Sequence, residues 1–84
     1  MKMFTFHHTI VEVVDVYSRI RDLREDADLT QKQMAKILNC SQQVYANYEL
    51  GQRDIPTAIL LALAEYHNTT TDYILGRTNE RGSI

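Results

Sequence analysis

Eighty-four residues, 44% apolar and 24% charged, suit one soluble globular domain and leave no room for a second core. The single cysteine excludes an internal disulfide and points to a reducing, cytoplasmic setting, and no apolar run approaches the ~20 residues of a membrane span or resembles a secretion signal. A net charge of −2 weighs against nucleic acid as a partner, yet Arg19, Arg21, Arg24, Lys32, Lys36 and Arg53 gather mid-chain while Glu12, Asp15, Asp72 and Glu80 lie toward the ends.

Residues 1–16 are rich in Val, Ile, Thr and Phe and hold no Gly or Pro. Phe4, Phe6, His8, Ile10, Glu12 and Val14 alternate with a second set, which reads as a strand. Ile10, Val13, Val14 and Tyr17 also fall at helical spacings, so both readings stand. A lone strand would need a partner for its backbone, such as the same segment of a second subunit.

From about Tyr17 the pattern is helical. Tyr17, Ile20, Leu23 and Ala27 form an apolar stripe, and Leu29 closes the exit. Thr30 followed by Gln33 is a capping box. It opens a second helix over residues 31–38, with Met34, Ala35, Ile37 and Leu38 inward. Asn39 and Cys40 suit a tight turn, because Asn tolerates left-handed backbone angles. Ser41 caps a third helix over 42–49, and Gly51 fits the left-handed position beyond its end. Pro56 suits the first turn of a fourth helix, buried through Ile55, Ile59, Leu60, Leu63, Ala64 and Tyr66. Asn68 to Thr70 interrupt it. A cap at Thr70 or Thr71 starts a one-turn helix over 72–75, stopped at Gly76, and the polar tail 77–84 is expected to fray.

The third helix has unequal faces. Val44, Tyr45 and Tyr48 pack inward, leaving Gln42, Gln43 and Asn47 as outward amides suited to reading base edges in a DNA major groove. Chemistry of other kinds finds no footing. The chain has no Gly-rich phosphate loop, no nucleophile elbow and no carboxylate pair that would share a pocket, so an enzyme is not expected. His7 and His8 are adjacent and point apart on a strand, and His67 stands alone, so no metal or other cofactor is expected. Cys40 reads as a small half-buried side chain.

The segments LRED (Leu23–Asp26), TQKQMAKIL (Thr30–Leu38), the turn with its Ser41 cap, YELG (Tyr48–Gly51) and DYILGRT (Asp72–Thr78) together resemble the Cro/C1-type (XRE-like) helix-turn-helix family. The resemblance covers about Tyr17 to Thr78 without an inserted residue. It implies an all-α, five-helix, lambda-repressor-like DNA-binding domain over 17–76, preceded by an extension at 1–16 and followed by a polar tail at 77–84. By position it implies base contacts from Gln42, Gln43 and Asn47. Gln31 and Arg53 would make phosphate contacts, with Lys32 and Lys36 as further candidates. Arg24 and Glu49 match a structural pair joining the first helix to the end of the recognition helix. Tyr45 and Tyr48 depart from the usual aliphatic residues, and Asn39 replaces a frequent Gly.

The implied function is a sequence-specific transcriptional regulator, a repressor acting as a homodimer on a two-fold operator with half-sites ~34 Å apart. The chain stops soon after this domain, so dimer contacts are expected from the helix four to five region, the tail or the N-terminal extension. The rival reading is a protein-interaction module, such as an antitoxin or antirepressor with a protein partner. The acidic balance and the apolar N-terminal segment favour it. Residues 1–16 are alternatively a dispensable upstream extension.

Overall fold

The computed structural model describes residues 18–82. The segment 1–16, read as strand or helix, lies outside the described residues, as does Tyr17. Five helices follow one another: α1 (18–26), α2 (Gln31–Ile37), α3 (Gln42–Leu50), α4 (Thr57–Tyr66) and α5 (Thr71–Ile74), and no strand occurs among the described residues. The all-α expectation holds there, with helix ends displaced by a residue or so. Pro56, for example, is the N-cap of α4 rather than its first turn.

All five helices stop in the same way. Asp28, Asn39, Gly51, Asn68 and Gly76 each take a left-handed φ between 54° and 79°. In each case the next residue's N–H donates to a carbonyl five residues back: Leu29 to Arg24, Cys40 to Ala35, Gln52 to Asn47, Thr69 to Ala64 and Arg77 to Asp72, at 2.8–3.1 Å. This closure satisfies carbonyls that the end of a helix leaves without partners. Three of the five stops are Asp or Asn, whose short polar side chains tolerate the left-handed region at modest cost.

The starts are equally local. Thr30 Oγ1 accepts from Gln33 N at 3.0 Å while Thr30 N donates to Gln33 Oε1 at 2.9 Å, completing the capping box. Ser41 Oγ accepts from Val44 N at 3.1 Å and Thr70 Oγ1 from Tyr73 N at 3.1 Å. Each such cap is worth ~1 kcal/mol.

Ile20 and Leu23 of α1, Met34, Ala35 and Leu38 around α2, Tyr45 and Tyr48 of α3, Leu63 and Ala64 of α4, and Ile74 of α5 form one core. Tyr45 and Tyr48 meet edge to face, with ring centroids 6.4 Å apart. Ala35 is buried without bulk, consistent with the close approach of α2 and α3. Several apolar residues expected inside are outside. Ile37 is 43% and Tyr66 46% exposed, and Ala27 is exposed in the turn after α1. Period alone assigned them to the core, but α2 has used up its buried face with Met34, Ala35 and Leu38.

The tail is not frayed over its described part. Arg19 on α1 donates through Nη1 to the carbonyls of Tyr73 (2.7 Å) and Thr78 (2.6 Å), and through Nη2 to Asn79 Oδ1 (2.8 Å). Its guanidinium also lies 4.3 Å from the Tyr73 ring centroid. Arg81 pairs with Asp26 at 3.6 Å, and buried Thr69 donates its hydroxyl to the Arg81 carbonyl. Residues 77–82 are thereby strapped across α1 and the α4–α5 corner.

Candidate nucleic-acid interface

The second and third helices are set at their angle by a buried charge network. Arg24 Nε donates to Glu49 Oε2 at 2.7 Å and Arg24 Nη2 to Glu49 Oε1 at 3.1 Å, a two-pronged pair. Arg24 Nη1 also donates to the Leu29 carbonyl at 2.8 Å, tying the α1–α2 connection into the same knot. The two side chains are only 12% and 3% exposed. Burial pushes the Glu49 carboxyl up, but the hydrogen bonds from Arg24 and Gln31, with the Tyr45 hydroxyl nearby, outweigh it, and the group stays below its ordinary value. Arg24 is held above its own, chiefly by its hydrogen bond to Glu49.

Tyr45 Oη is buried without a hydrogen bond of standard geometry, yet it lies close enough to Glu49 to help hold that carboxylate ionised. Burial, reinforced by the neighbouring Glu49, raises the Tyr45 pKa, so the phenol remains neutral. The Tyr45 hydroxyl thus sits beside the charge network without a hydrogen bond into it.

Gln31, expected at a DNA phosphate, is bonded within the domain. Its Nε2 donates to Glu49 Oε1 at 3.0 Å, so the first residue of α2 is fastened to the far end of α3. An amide has two N–H groups and an acceptor oxygen, and one N–H suffices for this bond. Sequence alone carried no sign of it, because the partners stand 18 residues apart with no local spacing to link them.

On the outer surface Gln42 and Gln43 are exposed and Asn47 is half-buried. Gln43 Nε2 donates to Asn47 Oδ1 at 3.3 Å, one helical turn along. Lys32 and Lys36 lie four residues apart on the exposed side of α2 and meet Gln42 across a shallow open groove of about 370 Å³, whose other walls are Ala35, Asn39 and Cys40. Arg53 is exposed in the α3–α4 loop and does not line that groove. Among the described residues Lys32, Lys36 and Arg53 have no carboxylate within ion-pair distance, whereas Arg24, Arg77 and Arg81 do.

The acidic total therefore misrepresents this surface. Between Thr30 and Arg53 the only carboxylate is Glu49, already consumed by Arg24, and three cations face solvent. Cys40 forms part of the groove wall, with its thiol pKa raised by burial. His67, read as a solitary residue, is buried at the end of α4 with its ring edge-on to Tyr66. Its Nε2 has no hydrogen-bond partner, and burial together with nearby Arg81 holds its pKa below the ordinary value. Among the described residues no cluster of three or more His, Cys, Asp or Glu could hold a metal, and no helix is long and apolar enough to cross a membrane.

A capped helix, a left-handed turn and a second capped helix with an amide-lined outer face define a helix-turn-helix domain. The chain belongs to the XRE-like helix-turn-helix family, whose profile matches residues 20–74. It is similar to the HTH-type transcriptional regulator ImmR of Bacillus subtilis (strain 168), 41% identical over 59 residues, covering 70% of this chain and 46% of that protein. It is also similar to two further proteins of that strain. One is the uncharacterized HTH-type transcriptional regulator YobD, at 34% over 62 residues, covering 74% of this chain and 55% of the relative. The other is the HTH-type transcriptional regulator AnsR, at 32% over 63 residues, covering 75% and 54%. The chain spans about half the length of these curated relatives. No solved structure gives a significant match.

Proposed function

We propose that the protein is a cytoplasmic, sequence-specific DNA-binding transcriptional regulator. It acts as a repressor and binds a two-fold operator as a homodimer. The observation that carries this reading is the division of α3, with Tyr45 and Tyr48 buried as anchors and Gln42 and Gln43 presented outward beside the unneutralised Lys32 and Lys36. Gln42 is the primary base reader. Its amide has both a donor and an acceptor, the pair that adenine N6 and N7 require in the major groove. Gln31 at the start of α2, with Lys32, Lys36 and Arg53, grips the phosphates, which orients the helix without specifying sequence.

Dimerisation is supported by apolar surface on α4 and α5. Leu61 is 57% exposed at the rim of a depression shared with Ala64, Glu65, Thr70 and Thr71, and Leu75 is also exposed. The domain proper occupies 17–76, with 1–16 as an extension that adds to the dimer contact and 77–84 as a tail.

Selection from randomised duplexes tests the proposal. The wild-type protein enriches an inverted repeat containing an A·T pair in each half-site, and Gln42→Ala relaxes preference at one position by ~1–3 kcal/mol. If no sequence is enriched and affinity purification recovers a protein partner instead, the interaction-module reading replaces this one.

A further inference from the structure

We infer that Gln43 and Asn47 read DNA as one unit, in which Asn47 is a positioning residue that orients the Gln43 amide and is not an independent base contact. The inference deepens the DNA-binding reading above and rests on it. Its starting point is the hydrogen bond from Gln43 Nε2 to Asn47 Oδ1 at 3.3 Å, between side chains one helical turn apart. The two differ in reach: Gln43 is exposed, while the shorter Asn47 is half-buried and sits further back against the domain. A side chain held back in this way is well placed to support its neighbour.

The donor and acceptor inventory makes the division of labour specific. Gln43 Nε2 carries two N–H groups, and the bond to Asn47 uses one. The other N–H and Oε1 remain, and together they form the donor–acceptor edge that pairs with adenine N7 and N6. Asn47 gives up acceptor capacity to this bond and thereby removes a rotational freedom that Gln43 would otherwise lose on binding. Gln–Asn pairs at this helical spacing favour the bonded arrangement by roughly 1.4- to 2.3-fold in water. Gln42, whose side chain has no hydrogen bond to another described residue, reads separately. The helix thus presents two reading units instead of three.

The test is base-resolved selection with wild type, Gln43→Ala, Asn47→Ala, Asn47→Asp and the Gln43→Ala/Asn47→Ala double variant, with thermal melts of each. Gln43→Ala relaxes preference at one base pair by roughly 5- to 150-fold. Asn47→Ala relaxes preference at that same base pair by about twofold, and the double variant matches Gln43→Ala alone. Asn47→Asp keeps the acceptor for the Gln43 N–H. It preserves the base preference although its added charge weakens binding to every sequence. The inference is overturned if Asn47→Ala relaxes a different base pair, if the two substitutions add, or if Asn47→Asp loses the preference as Asn47→Ala does. A wild-type protein that enriches no sequence defeats the DNA-binding reading itself, which the unsubstituted arm reports separately.

Discussion

Replacing Glu49 by Ala leaves Arg24 charged, largely buried and stripped of two of its hydrogen bonds. The guanidinium keeps one hydrogen bond, to the Leu29 carbonyl at 2.8 Å, and a long ion pair with exposed Glu25 at 3.9 Å, and Gln31 loses its partner as well. Breaking a buried pair by deleting one member costs ~3–5 kcal/mol, a large share of the ~5–15 kcal/mol available to small domains. Arg24→Ala incurs a comparable loss, since it strands Glu49 at 3% exposure. Replacing both together, Arg24→Met with Glu49→Leu, removes the unpaired charge in either case, so the double variant loses less than the sum of the two singles.

Urea denaturation followed by far-ultraviolet circular dichroism measures all three. The pH dependence supplies a second arm with a definite sign. Glu49 has a folded pKa below its ordinary value, so its contribution is complete above the ordinary carboxylate range near ~4.3 and is lost as pH falls through the folded value. Glu49→Gln therefore has a shallower acid limb than wild type. The reasoning is refuted if each single variant loses less than about 1 kcal/mol, the range of an exposed pair. It is equally refuted if the two losses simply add.

Further outcomes follow from the rest of the fold. Arg19→Ala frees residues 77–82, raising amide exchange at Thr78 to Arg81 and costing about 1–3 kcal/mol, and Arg19→Lys rescues little because a single ammonium cannot serve three acceptors in a fork. His67 has a folded pKa below its unfolded value, so its stabilising contribution is present above ~6.5 and is lost as pH falls through the folded value. His67→Gln flattens that slope in thermal melts between pH 5 and 7. Lys32→Ala, Lys36→Ala and Arg53→Ala each reduce the slope of log affinity against log salt by about 1 and leave base preference unchanged. A shift in base preference instead would place that cation at a base edge.

Much of the site was legible because its builders act over three or four residues. Thr30 with Gln33, Ser41 with Val44, and the left-handed stops at Asn39 and Gly51 are closed by short-range hydrogen bonds, and their side chains are recognisable by type and spacing. Asp28 makes the same kind of stop as Asn39 but is not legible as one, since an acidic residue at a helix exit has no distinctive spacing. Burial was less legible. Ile37 and Tyr66 satisfy the apolar period of their helices, yet which part of a stripe is covered depends on where the neighbouring helices lie.

By itself the sequence determined the helices, the turn, the amide face of α3 and the family, because capping, turn geometry and amphipathic period are local properties of the chain. Only the tertiary structure decided what each polar side chain is bonded to. Arg19 reaches carbonyls and an amide 54 to 60 residues away, and Arg24 and Gln31 converge on Glu49 from 25 and 18 residues off. No periodicity encodes contacts at those separations; they exist only once the packed core brings α1 against α5 and the tail, and α1, α2 and α3 together. That convergence fastened Gln31 to the far end of α3 and set the Tyr45 phenol beside a buried charge pair. In the same way, the acidic total gave way to a surface where Lys32, Lys36 and Arg53 stand free of carboxylate partners among the described residues.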